Sequence, residues 1–195
     1  MSASRPIEHV YDDPLERVWL GAAARIGFRV VRGRDVFASY DGAGTLTIGE
    51  RDTLDPDDSL AQMIYHECCH ALVQGCDALM RVDFGLDNRG GRDDAREHAC
   101  LVTQAILAQR HGLRAFLAPT TDYRAYWNEL GDDPRAACSP EIGALVDAAL
   151  EAAERPPFAP HLDHALAATA EIVRIVRAFA PPSSPDSRRS LYDAS

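Results

Sequence analysis

The clearest chemistry in the chain lies in His66-Glu67-Cys68-Cys69-His70. On a helix, two histidines four residues apart are separated by slightly more than one turn. Both imidazoles then project from one face and can share a metal ion. Glu67 lies about 100° round the helix from His66. Its carboxylate falls beside the open side of such a metal rather than among the ligands, where it can take a proton from an attacking water or orient a ligand. Chance copies of this pattern fall mostly on exposed polar helices. Here Leu60, Ile64, Cys68, Ala71 and Leu72 make the helix apolar on most sides, and Met63 and Val73 flank the histidines. Such a helix is buried, and burying ionisable groups without a partner is costly. A shared cation meets that need.

Two histidines rarely hold a catalytic metal alone. Glu97, 27 residues after His70 and near the start of the next helix, is the expected third ligand. Asp93, Asp94 and His98 compete with it. The two aspartates stand where a helix start is capped, and His98 points about 100° away from Glu97. Two imidazoles and one carboxylate leave open coordination positions. On Zn(II) that set favours hydrolysis, and on Fe(II) it is the facial set of non-haem oxygenases. Ligand chemistry alone leaves one divalent metal with both identities open.

The elements that must position these residues read as α+β. Asp13-Pro14-Leu15-Glu16 has the layout of a helix entrance, and Leu15, Val18, Trp19, Ala22 and Ile26 follow at helical spacing. Phe28 to Val31, Val36 to Tyr40 and Thr45 to Ile48 are short β-prone runs divided by turn residues, which predicts a small antiparallel meander. Asp55-Pro56-Asp57-Asp58 opens the helix that carries the histidines, and Gly75 closes it. Further helices are expected over about 93–110, 123–130, 139–154 and 160–179. The glycine- and arginine-rich stretch from Asp83 to Arg92 is expected to be a mobile loop over the site, with Arg89 and Arg92 free to meet an acidic substrate surface. The composition shifts to Pro, Ser and Asp after Pro181, so a metal-binding domain over 1–180 is expected to end in a disordered tail over 181–195.

Composition narrows the classes. The 195 residues are 46% hydrophobic and 26% charged, enough for one globular core. No apolar run reaches the length of about 18 residues that a membrane span needs. The first residues, Met1 to Arg5, lack the layout of a secretory signal, which leads to the expectation of a cytoplasmic protein. The formal charge is −10 and every basic residue is arginine, a balance that argues against direct nucleic-acid binding. Five cysteines without CxxC spacing read as reduced core residues. Nothing in the chain reads out the oligomeric state.

From His66 to Gly85 the chain runs HECCHALVQGCDALMRVDFG. This stretch resembles the signature of the elongation factor P hydroxylases, in which an HExxH helix is followed by a glycine and then Val-Asp-Phe-Gly. Here those are Gly75 and Val82-Asp83-Phe84-Gly85. The family continues with Gly-Arg-Asp, a metal-binding glutamate and a Gln-Ala pair. Gly91-Arg92-Asp93, Glu97 and Gln104-Ala105 stand in that order. The resemblance covers residues 66–105. It implies a zincin-like active-site helix, a non-haem iron site and oxygen-dependent hydroxylation of the modified lysine on elongation factor P. The chain departs from the family after Gly85, where the segment to Glu97 is shorter and Leu86-Asp87-Asn88 replace aromatic residues.

The leading expectation is thus an Fe(II)-dependent hydroxylase of a protein side chain. The alternative is a small glutamate-zincin-type zinc peptidase, in which Glu67 is the general base and the Thr45 to Ile48 strand offers its edge to an extended peptide. A third reading is a metal-stabilised binding module without catalysis.

Overall fold

The first helix forms where its ends dictate. In the computed structural model, which describes residues 8–9, 11–86, 93–120, 123–180 and 190–193, helix α1 spans Pro14–Ile26. The Asp13 carboxylate accepts from the backbone N–H groups of Leu15 and Glu16, and Pro14 fills the first turn, where no donor is needed. Gly27 ends the helix at φ 112°, a left-handed conformation that costs a residue without a Cβ little. Leu15, Trp19, Ala22, Ala23 and Ile26 form its buried face. Trp19 is fully buried, and its indole N–H donates to Thr169 Oγ1 at 2.9 Å.

The sheet is small but is not the expected antiparallel meander. Strands β1 (Arg29–Gly33), β2 (Ala38–Tyr40) and β3 (Thr45–Gly49) lie in the order β1-β3-β2, with β3 parallel to β1 and antiparallel to β2. Burial explains why the last strand takes the centre. Leu46 and Ile48 on β3 are wholly buried, whereas β1 exposes Arg29 and Arg32. The chain therefore leaves β1, passes the end of β3 and returns on its other side. Glu50 N–H donates to Gly33 O and Gly49 N–H to Phe37 O, one on each flank of the central strand. Gly33 permits the close approach, since a Cβ there would stand 2.7 Å from Thr47 Cγ2.

Helix α2 (Leu60–Gln74) carries the HExxH residues. Its cap is Ser59, not the expected aspartate cluster. The Ser59 hydroxyl accepts from Gln62 N–H at 3.1 Å, while Asp58 is turned back to accept from Asp55 N–H at 3.0 Å. Gly75 closes α2 as its position predicts. Helices α3 (Asp94–Arg110), α4 (Arg124–Glu129), α5 (Pro140–Ala153) and α6 (His161–Arg177) complete the body. Because α1, α3 and α5 all pack on α2, and β3 touches it too, the helix is apolar nearly all round. The architecture is α+β, a mainly helical body beside a small mixed sheet. No helix among the described residues is long and apolar enough to cross a membrane.

Val82-Asp83-Phe84-Gly85 joins the sheet to this body. Val82 pairs with Asp41, and the Asp83 carboxylate accepts from Tyr40 N–H at 2.8 Å. The Phe84 ring stacks on Tyr40 at 4.4 Å between centroids, and Phe28 meets both rings edge-on. Asp83 and Phe84 hold φ of 46° and 55°, a backbone cost that this packing must outweigh. Phe84→Ala should lower stability by about 3–5 kcal/mol, the usual range for a buried phenylalanine. Urea unfolding monitored by circular dichroism would measure it; a loss under about 1 kcal/mol would mean the aromatic cluster is not what holds this turn.

Two expectations fall largely outside the described residues. The loop arginines Arg89 and Arg92 are among residues 87–92, and most of the tail is in 181–189 and 194–195. Within that tail, Leu191–Asp193 forms a short 3-10 turn with the Tyr192 ring 5.1 Å from Phe116.

Candidate metal centre

The spacing of the two histidines along α2 brings their rings together, with centroids 4.5 Å apart and Nε2 atoms 2.9 Å apart. Helix α3 crosses this face and carries Glu97 on its first turn. The Glu97 carboxylate lies 3.7 Å from His66 Nε2 through one oxygen and 3.5 Å from His70 Nε2 through the other. Ligand atoms about 2.1 Å from one ion and about 90–110° apart stand about 3.0–3.4 Å from each other. The Nε2–Nε2 separation is close to that range, and each imidazole meets a different oxygen of Glu97 slightly beyond it, so the Glu97 carboxylate stands within reach of both histidines. Tyr65 strengthens the crossing by donating its hydroxyl to Gln104 O at 2.7 Å.

Gln104 sets the proton on His66. Its amide nitrogen donates to Leu117 O at 2.8 Å, which turns its oxygen toward His66 Nδ1 at 2.8 Å. Nδ1 must therefore carry the hydrogen, and the Nε2 lone pair faces His70 and Glu97. The HExxH spacing by itself does not point to Gln104. The signal was available, because a residue seven after Glu97 returns to the same face of α3. Substituting Gln104→Leu should lower metal affinity about 10–100-fold, as loss of an orienting partner does. Competition titration against a chromophoric chelator would read this, and unchanged affinity would remove Gln104 from the account.

Burial shapes the charges. It holds the His70 imidazole well below its ordinary pKa, helped by His66, so His70 is neutral. His70 Nδ1 has no hydrogen-bond partner among the described residues. Glu97 is shifted upward by burial, against the pull of His66 and His98, and Asp94 adds to the rise. Glu67 is 9% exposed, and burial pushes its carboxyl up to about 7. His66 opposes this, while Glu97 and Asp83 reinforce it. A buried carboxyl, Glu67, and a half-buried one, Glu97, thus lie near the imidazoles, and no guanidinium pairs with either among the described residues. A cation held between these groups would supply the missing positive charge.

Cys100 is the competing ligand. His66, His70 and Cys100 also offer donor atoms within 4.8 Å of one another. The thiol, however, lies 4.0 Å from His66 Nδ1, the nitrogen already committed to Gln104, and donates to His66 O at 3.7 Å. Burial, with Cys69 next, raises its pKa well above the ordinary thiol value, whereas ligation needs the thiolate. Glu97 stands on the Nε2 side, 3.5–3.7 Å from the two imidazoles. The remaining competitors lie around the start of α3, where His98 and Asp94 both act on the Glu97 carboxyl. His98 stacks on Tyr126 at 4.0 Å, Asp94 begins α3, and Asp93 occupies its cap position without a side-chain cap bond.

The strand expected to offer a peptide its edge does not have one. β3 is paired on both sides, and the outer side of β2 is met by Val82 and Asp83. Comparison with protein-family models, with curated proteins and with solved structures finds no match to this chain.

Proposed function

We propose that the chain is a metal-dependent hydroxylase, with Fe(II) favoured over Zn(II), acting on a side chain of a protein substrate. The observation that carries this reading is the convergence of His66 Nε2, His70 Nε2 and the Glu97 carboxylate at 2.9–3.7 Å. A ferrous ion held by two imidazoles and one carboxylate supplies the activation of dioxygen. The chain's own residues do the rest. Gln104 keeps the His66 lone pair aimed at the site, and Tyr65 ties the two ligand-bearing helices together. Glu67 holds or gives a proton near neutral pH beside the reacting groups. The order of motifs from His66 to Ala105 supports elongation factor P as the substrate to try first.

The zinc-peptidase alternative keeps the same ligands and gives Glu67 the role of general base. It loses the support that an open edge on β3 would have lent it. A binding module without catalysis would close the coordination sphere.

The test is incubation of the ferrous protein and a reductant with elongation factor P bearing its modified lysine, under labelled dioxygen. Mass spectrometry should find one labelled oxygen atom on the substrate and an uncut chain. Cleavage of the substrate by the zinc-loaded protein without oxygen would overturn the assignment.

A further inference from the structure

A second cluster of polar groups sits one helical turn beyond the ligands. Gln74 follows His70 by four residues on the same face of α2, about 6 Å along the helix axis. Arg96 immediately precedes Glu97 on α3, and its guanidinium donates to Gln74 Oε1 at 2.6 Å. That bond turns the Gln74 amide nitrogen the other way, where it is buried with no hydrogen-bond partner among the described residues. A buried donor left unpaired costs about 1–3 kcal/mol, so the position calls for an acceptor.

Beside Gln74 lies a cavity of about 260 Å³ lined by Gln74, Asp77, Arg81, Phe84 and Arg96, among others. Neither Arg81 nor Arg96 forms an ion pair among the described residues, in a chain whose net charge is −10. Arg81 is held in place by the Val82–Gly85 turn. Its side chain lies over Gly85, where a Cβ would come within 3.1 Å of Arg81 Cδ, and its carbonyl accepts from Phe84 N–H at 3.2 Å.

We propose that this cavity is a subsite for a carboxylate, carried by an acidic side chain of the substrate and bound beside the metal centre. The guanidiniums of Arg81 and Arg96 line it, and the unpaired Gln74 amide lies just behind its wall, where it reports on what binds. Asp77 offsets one of the two positive charges, and the remaining single charge matches a carboxylate better than a dianionic phosphate. Its use in the reaction rests on the proposed function, but carboxylate binding does not.

The test uses the full chain, with and without metal, and follows the Gln74 side-chain amide by NMR. The probes are N-acetyl-aspartyl amide, succinate, inorganic phosphate and N-acetyl-asparaginyl amide. The aspartyl probe should shift the Gln74 signals saturably, and the asparaginyl probe should not. Arg81→Gln and Arg96→Gln should each weaken binding about tenfold or more while metal content stays the same. Tighter binding of succinate than of the aspartyl probe would keep the carboxylate but assign it to a free dicarboxylic acid. No saturable shift, equal binding of the asparaginyl probe, tighter binding of phosphate, or indifference to both arginine substitutions would overturn the subsite. Carboxylate binding by a chain that holds no metal would sink the hydroxylase reading and leave the subsite standing.

Discussion

His66→Ala should yield a folded chain that no longer retains one equivalent of divalent metal. The imidazole it removes is one of two on the same face of α2, with its Nε2 2.9 Å from that of His70 and 3.7 Å from Glu97. Loss of a direct ligand should exceed the roughly 10–100-fold that loss of an orienting partner costs. His70→Ala should do the same, and Glu97→Ala should weaken retention strongly, because the carboxylate is also the anionic member of the set. His66 is the cleanest site for the test, since its side chain is 24% exposed and that of His70 only 7%. Metal analysis after gel filtration, with circular dichroism as the control for folding, reads the outcome. Retention of one metal per chain by all three variants would dispose of the site.

Glu67→Gln separates the catalytic readings with an effect nearly as large. In a zinc peptidase this carboxylate must take the proton of the attacking water, so the amide would abolish turnover while leaving the metal in place. In the proposed hydroxylase the oxidant is dioxygen, Glu67 relays or orients, and part of the activity survives. The substitution also has a readout that needs no substrate. The folded, metal-free chain keeps the Glu67 proton up to about pH 7, whereas the unfolded chain releases it near the ordinary carboxyl value of 4.5. Between those pH values the native state binds more protons, so its stability falls as pH rises. Glu67→Gln should flatten that slope in the metal-free protein. Chemical unfolding at pH 4.5 and at pH 7.5 would measure it; an unchanged slope would mean that Glu67 is not the buried carboxyl described.

Much of this was legible along the chain because the information is local. Asp13-Pro14 and Ser139-Pro140 mark helix starts whose side chains do cap, and Gly75 ends α2 where the helical pattern stops. The HExxH spacing alone aligns two imidazoles, and the burial of α2 follows from its composition. The strand order was not legible. Turn chemistry between Val31 and Val36 suggests a hairpin, but where β3 goes depends on Leu46 and Ile48 finding a covered position, which is a tertiary matter. Asp55 to Asp58 resembles a cap, yet Ser59 holds that place because Asp58 closes its own turn. The roles of Gln104 and Cys100 depend on how α3 crosses α2, so residue type alone does not assign them.

The most direct test is the position of the metal itself. Crystals grown without oxygen from protein loaded with one equivalent of Fe(II) should be measured on both sides of the iron absorption edge. A single anomalous peak is expected between His66 Nε2, His70 Nε2 and the Glu97 carboxylate, with His66 Nδ1 still bonded to Gln104. A peak on the Cys100 side of the His66 ring, or iron bound stoichiometrically somewhere else, would contradict it.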